Sequence, residues 1–417
     1  MRVHGQVVVP GDKSISHRAL ILSALAPGAS RLTGLLRSAD IESTAAVLRS
    51  LGAQIPTLGD DMVVTGVGRK GLSNPTDLLD CGNSGTTTRL MAGVVAGAGL
   101  TATFVGDASL SRRPMGRIAR PLRAMGATVN LADGGGLPME VVGGTLRGVD
   151  YSSEAASAQV KSAVLLAALM AGVPARVREP ALSRDHTERM LAGRGAHLSI
   201  HPDGVSIEPV DELTPCDMRI PGDPSSAAFL AALAALADGG ELRLRSVCLN
   251  PTRAGFLTLL RRMGIRIEWE ARDEGGELVG DITVAPGKLT AVEVGAADVP
   301  AMIDELPLLA CLAARAEGET VIRGAGELRV KESDRITAVV ANLRAIGVRA
   351  EELEDGMTIV GSDRPLAGSV RTHGDHRLAM AFGVLAALDG SQIEMDDAEC
   401  VAVSYPEFWN DLARVTG

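Results

Sequence analysis

The sequence predicts an α/β protein of two similar domains, each built from three repeat units, on three observations. A signature of leucine, arginine, two further residues and glycine recurs along the chain. Pro10-Gly11-Asp12 returns as Pro221-Gly222-Asp223, each time leading into an apolar, serine-bearing helix. Stretches rich in β-branched residues, such as Gln6–Val9, Ala102–Val105 and Ile282–Val284, alternate with helical runs, the pattern of α/β units.

The signature reads Leu48-Arg49-Ser50-Leu51-Gly52, Leu122-Arg123-Ala124-Met125-Gly126, Leu260-Arg261-Arg262-Met263-Gly264 and Leu343-Arg344-Ala345-Ile346-Gly347. Leu191-Ala192-Gly193-Arg194-Gly195 is a degraded copy, and Leu412-Ala413-Arg414-Val415 a sixth. Each copy predicts a helix with a cation in its last turn, ended by a left-handed glycine and followed by a strand. The copies lie about 70 residues apart, once near 80, too far for a solenoid repeat. Each unit is therefore a small motif of strands and two helices. The Pro-Gly-Asp pair divides the units into one domain over 12–222 and a second over 1–11 and 223–417.

Composition narrows the function. The 417 residues are 46% hydrophobic but only 2% aromatic, so the cores are expected to consist of Ala, Val, Leu, Ile and Met. A formal charge of −10 argues against a nucleic-acid partner. Cys81, Cys216, Cys248, Cys311 and Cys400 form no C-x-x-C pair, so no metal site and no disulfide framework are expected. A strand is predicted almost at once, so no leader peptide is expected. Glycines and threonines break the uncharged stretch Leu90–Gly106 into helix, turn and strand, so no membrane partner is expected. The protein is expected to be cytoplasmic and monomeric, with small molecules as its partners.

Those small molecules are expected to be anions. Lys13-Ser14-Ile15-Ser16-His17-Arg18 opens an apolar helix, as do Asn83-Ser84-Gly85-Thr86-Thr87-Thr88-Arg89 and Ser157-Ala158-Gln159-Val160-Lys161-Ser162. Pro224-Ser225-Ser226, Asp304-Glu305 and Gly374-Asp375-His376-Arg377 do the same further on. A helix start offers unpaired N–H groups and a positive dipole end, and fixed cations there make an anion cradle. No G-x-G-x-x-G after a strand and no Walker motif point to a nucleotide.

These tracts resemble the enolpyruvyl transferase family, in its 5-enolpyruvylshikimate-3-phosphate synthase branch, along essentially the whole chain. Gly11 to Arg18 is similar to one family signature, Asn83 to Arg89 to a glycine loop, and Arg329-Val330-Lys331-Glu332-Ser333-Asp334-Arg335 to a second long signature. Ser157 to Ser162 and Asn250-Pro251-Thr252-Arg253 resemble the class II form. The resemblance implies two domains of three βαβαββ units each, an inside-out α/β barrel, with the active site in the interdomain cleft. It implies transfer of the enolpyruvyl group of phosphoenolpyruvate to the 5-hydroxyl of shikimate 3-phosphate, with no cofactor and no metal.

Carried over by position, the resemblance gives phosphoenolpyruvate to Lys13, Arg113, Arg335 and Arg377, with Gly85 leaving space and Asn83 in the same loop. It gives shikimate 3-phosphate to Ser14, Arg18, Ser157, Ala158, Arg184 and Lys331, and both substrates to Gln159. Asp304 and Glu332 are the proton carriers, assisted by Lys13. Val403 stands where many relatives carry a phosphoenolpyruvate-binding lysine, so that contact is expected either to be absent here or to be supplied by Lys161 or Arg89. Ala158 replaces a second serine. His376 is expected to be structural. The related transferase acting on UDP-N-acetylglucosamine uses a loop cysteine, and Gly106–Arg117 has none. A non-catalytic phospho-metabolite binder would keep the cations but not both carboxylates.

Overall fold

The computed structural model describes residues 1–417, which form two compact units, Gly11–Ile220 and Met1–Pro10 with Pro221–Gly417. The first unit carries helices α1 (Lys13–Leu25), α2 (Ala39–Ser50), α3 (Gly85–Gly97), α4 (Ala108–Ser111), α5 (Gly116–Met125), α6 (Ala158–Ala171) and α7 (His186–Ala192). The second carries α8 (Pro224–Leu236), α9 (Gly255–Arg262), α10 (Leu306–Ala313), α11 (Arg335–Ala345), α12 (His376–Ala386) and α13 (Phe408–Thr416).

The repeat unit is a βαβαββ module. In the clearest case Leu79–Asp80 pairs parallel with Thr101–Val105 across α3, and α5 then leads into the antiparallel hairpin Thr128–Leu131 and Met139–Val142. Val149–Ser152, α6, Ala175–Arg178, α7 and the hairpin Leu198–His201 with Gly204–Ile207 repeat it. The first module takes its opening strand from the far end of the unit, Met218–Arg219 beside Leu32–Thr33. In the second unit the N-terminal segment does the same, with Gln6–Val7 parallel to Arg243–Leu244. The expected strand Gln6–Val9 stops at Val7. Val8 is 68% exposed, and Pro10 has no N–H to extend a ladder.

The most apolar helices, such as α1 and α8, lie inside their units, and the sheets lie outside. All but two of the 13 residues of α1, and all but Leu236 of α8, are buried. The strand Asp61–Gly66 instead alternates exposed and buried side chains, as a one-sided sheet must. With few aromatics, tight helix packing replaces large rings. A Cβ on Gly93 would stand 2.2 Å from the Ala163 carbonyl oxygen, and one on Gly97 2.3 Å from that of Ala167, so α3 and α6 touch backbone to backbone. No helix is long and apolar enough to cross a membrane.

The signature glycines Gly52, Gly126, Gly195, Gly264 and Gly347 all have φ between 85° and 110°, the left-handed cap expected of them. The signature arginines do more than complement a helix dipole. Each donates its Nε–H to a carbonyl six residues on: Arg49 to Ile55 at 2.8 Å, Arg123 to Val129 at 2.9 Å, Arg261 to Ile267 at 3.0 Å and Arg344 to Ala350 at 2.7 Å. The guanidinium thus ties the outer helix to the strand or extended segment that follows the turn. Arg414, in the sixth copy, instead turns back to Asp411.

Candidate active site

In the first unit the starts of α1, α3 and α6 are joined by side-chain hydrogen bonds. Arg18, 4% exposed, donates through Nη1 to the Ser14 carbonyl at 2.9 Å, through Nη2 to Ser162 Oγ at 2.8 Å and through Nε to Thr187 Oγ1 at 2.6 Å. Gln159 donates to Thr86 Oγ1 at 3.0 Å and accepts from Arg89 at 2.8 Å. Ser157 caps α6, its Oγ accepting from the Val160 N–H, and Ala158 follows as the first helical residue. Lys13 pairs with Asp40 at the start of α2. Arg113 donates to Asn83 Oδ1 at 2.6 Å, and Asn83 donates to Asp107 at 2.6 Å. Arg184 lies half-buried in the segment before α7. The local cause is common to these starts: Asp12, Ser84 and Ser157 accept N–H bonds of the first turn, which fixes the start while other donors and cations surround it.

Gly85 has a steric role. A Cβ there would lie 2.7 Å from Arg89 Nη1 and 3.5 Å from Arg113 Nη1. Gly85→Ala is expected to displace the Arg89 tip, while Arg113 stays in ordinary contact, and to raise the KM for phosphoenolpyruvate about tenfold, leaving that for shikimate 3-phosphate within about twofold. Steady-state kinetics with each substrate varied in turn checks the split.

A hydrogen-bond line links the helix starts beneath the cations. His17 Nδ1 meets Thr44 Oγ1 at 2.6 Å, Thr44 meets Thr87 Oγ1 at 2.7 Å, and Thr87 donates to Ser84 Oγ at 2.7 Å. His17 Nε2 is buried with no partner. Burial, with Lys13 and Arg18 nearby, pushes the imidazole pKa down to about 3. The unfolded chain therefore binds a proton near pH 6.5 that the folded chain refuses until about 3. Stability is then complete above pH 6.5 and falls as the pH drops, by about 1.4 kcal/mol per unit in that window. Denaturant unfolding between pH 7 and 5 is expected to show this slope, and His17→Gln to flatten it.

In the second unit three cations crowd around Asp304. Its carboxylate lies 3.5 Å from Lys331, 3.4 Å from Arg335 and 3.7 Å from Arg377. Glu332 accepts from Arg335 Nη2 at 2.8 Å. Arg335 is 1% exposed and also donates to Asp375, through Nε at 2.8 Å and Nη2 at 3.1 Å. Burial opposes its charge, but Asp375, Glu332 and Asp304 outweigh it and raise its pKa. Burial would likewise lift Asp375, and the Arg335 charge wins and holds it below the usual carboxylate value. Asp304 occupies a short 3-10 turn ahead of α10 rather than the helix itself. Arg253, of the class II-like tract, is 3% exposed and donates to Ser225 Oγ at 2.7 Å, and Ser225 donates in turn to Glu305.

The structure thus gathers Lys13, Ser14, Arg18, Asn83, Gly85, Arg113, Ser157, Ala158 and Gln159 at helix starts of the first unit. Asp304, Lys331, Glu332, Arg335 and Arg377 gather in the second. One expectation is corrected. Lys161 cannot stand in for the lysine missing at Val403, because it is 2% exposed and bound to Glu179 and Glu188 at 2.9 and 2.8 Å. Arg89, with its hydrogen bond to Gln159, remains beside Gly85. Sequence reasoning missed Asp40 and the hold of Asp375 on Arg335. An acidic residue at a helix start reads as a cap, and nothing in the chain order marks it as a partner for a distant cation.

Residues 1–412 match the family model described as EPSP synthase (3-phosphoshikimate 1-carboxyvinyltransferase). The chain belongs to the EPSP synthase family. It is 49% identical to a 3-phosphoshikimate 1-carboxyvinyltransferase of Sulfurihydrogenibium sp. (strain YO3AOP1), covering 100% of this chain and 98% of that one. It is 48% identical to the enzyme of the same name from Roseiflexus castenholzii, over 99% and 97% of the two chains. An EPSP synthase structure from Acinetobacter baumannii superposes with a TM-score of 0.87 at 38% identity, over 99% of this chain and 96% of that one. The family activity is transfer of the enolpyruvyl (1-carboxyvinyl) group of phosphoenolpyruvate to shikimate 3-phosphate, a step of the shikimate pathway to aromatic amino acids. The chain is therefore an enzyme, a transferase, rather than a passive phospho-metabolite binder or a UDP-sugar transferase.

Proposed function

We propose that the two charged clusters serve a single addition-elimination, the first unit supplying most of the anion contacts and the second the proton carriers. The observation that carries this reading is the pairing of Asp304 and Glu332 with Lys331, Arg335 and Arg377. Both substrates bring phosphate and carboxylate groups, which compete for those cations. As the substrates take them, the carboxylates are released to carry protons.

In this reading Asp304 accepts the proton of the 5-hydroxyl as its oxygen bonds to C2 of phosphoenolpyruvate. Glu332 delivers a proton to C3, turning the methylene into a methyl group. Elimination reverses the carbon protonation: a methyl proton returns to Glu332, the C2–O bond to phosphate breaks, and Asp304 returns its proton to the leaving phosphate. Lys13 assists by offsetting the negative charge. Arg113, Arg335 and Arg377 hold phosphoenolpyruvate, with Asn83 orienting Arg113 and Gly85 leaving it room. Ser14, Arg18, Ser157, Arg184 and Lys331 hold shikimate 3-phosphate beside the Ala158 backbone, and Gln159 touches both. The protein acts as a cytoplasmic monomer with no nucleic-acid or membrane partner. Sedimentation of the protein with both substrates present should give one species of about the chain's 43.1 kDa.

Phosphate release from phosphoenolpyruvate, with and without shikimate 3-phosphate, tests the reading. Release should require the second substrate. Arg184→Met should raise the KM for shikimate 3-phosphate, and Arg377→Met that for phosphoenolpyruvate. Substrate-independent release, or the opposite split, would overturn it.

A further inference from the structure

Lys161 is displaced from any role as an anion ligand, and its surroundings show a different one. It stands on α6 two residues beyond Gln159, with its Nζ 2.9 Å from Glu179 Oε2 and 2.8 Å from Glu188 Oε1. It also donates to the Ser183 carbonyl at 3.3 Å. Glu179 works in two directions. Its Oε1 accepts from the backbone N–H of Ser157 at 3.1 Å, and its Oε2 from that of Ser183 at 3.4 Å. Glu188 brings in α7, where its neighbour Thr187 accepts from Arg18 and meets Ser162 Oγ at 2.6 Å. Lys161, Glu179 and Glu188 are 2%, 6% and 4% exposed.

One lysine and two carboxylates therefore tie together the cap of α6, the segment carrying Arg184 and the helix that braces Arg18. Stability alone does not account for such a cluster, since well-packed apolar residues usually stabilise as much as a buried ion pair. Geometry does, because a phosphate cradle must be held to within a fraction of an ångström.

We propose that Lys161, Glu179 and Glu188 form a buried positioning cluster that sets the shikimate 3-phosphate half of the site by fixing the Ser157 cap and the Arg184 segment. The proposal rests on the assignment of Ser157 and Arg184 to that substrate made above.

The experiment compares wild type with Lys161→Met, Lys161→Arg and Arg184→Met, reading shikimate 3-phosphate binding alone by calorimetry and both KM values. Circular dichroism reports whether each variant is folded. Lys161→Met should weaken shikimate 3-phosphate binding about tenfold or more while the KM for phosphoenolpyruvate moves less than about threefold. Lys161→Arg, which keeps charge and donors, should recover most of the loss. If Lys161→Met does not fold, Lys161→Met/Glu188→Met removes one carboxylate with the lysine and is read in the same way. Unchanged binding in the folded Lys161 variant, or an equal rise in both KM values, overturns the cluster. Unchanged binding in Arg184→Met overturns the underlying assignment instead.

Discussion

Glu332→Gln and Asp304→Asn should each lower kcat by about 10²- to 10⁴-fold, the usual contribution of a positioned proton carrier, with both KM values within about threefold. Both changes keep shape and remove the ability to shuttle a proton. Arg335 retains Asp375, its bidentate partner, in either variant, so the fold of the second unit should survive. Unfolding curves matching wild type, together with the kcat loss, separate chemistry from collapse. A kcat within tenfold of wild type in both variants would remove these carboxylates from the reaction.

Arg335→Met should be the most damaging single change to stability in the second unit. The guanidinium lies between Asp375, Glu332 and Asp304, and the Asp375 side chain is fully buried. Removing the cation leaves a buried carboxylate uncompensated, at a cost of about 3–5 kcal/mol. The sign with pH follows from Asp375, whose folded pKa is depressed. Its contribution is present above the ordinary carboxylate value and is lost as the pH falls through the lower folded one. The gap between wild type and variant should therefore be widest near neutrality and narrow in acid. Urea unfolding at pH 7 and at a pH below the ordinary carboxylate value of 3.8 measures both, and a gap that widens on acidification would contradict the assignment.

How far the chain could be read from residues alone follows from the range of each interaction. The signature glycines act locally, through φ and the adjoining helix end, and all five sit where their spacing placed them. The reach of Arg49, Arg123, Arg261 and Arg344 to a carbonyl six residues on was not legible as a contact, because it depends on how the strand or extended segment folds back over the helix end. Helix starts such as Lys13–Arg18 announce themselves by putting cations ahead of an apolar run. The partners that hold those cations do not. Asp375 meets Arg335 across 40 residues, and Glu179 and Glu188 meet Lys161 across 18 and 27. A cation committed to a buried carboxylate and one aimed at a ligand have the same sequence signal, and only packing tells Lys161 from Arg113.

The most direct test of the addition-elimination reading is to run the reaction in D2O and look for deuterium in the vinyl group of the product. Protonation of C3 makes a methyl group, and elimination then removes any one of its hydrogens, so deuterium should enter the product whenever both substrates are present. Glu332→Gln should slow turnover and incorporation together. Full turnover by the wild type with no deuterium in the vinyl carbon would mean that C3 is never protonated, and would contradict the addition-elimination and the role given to Glu332.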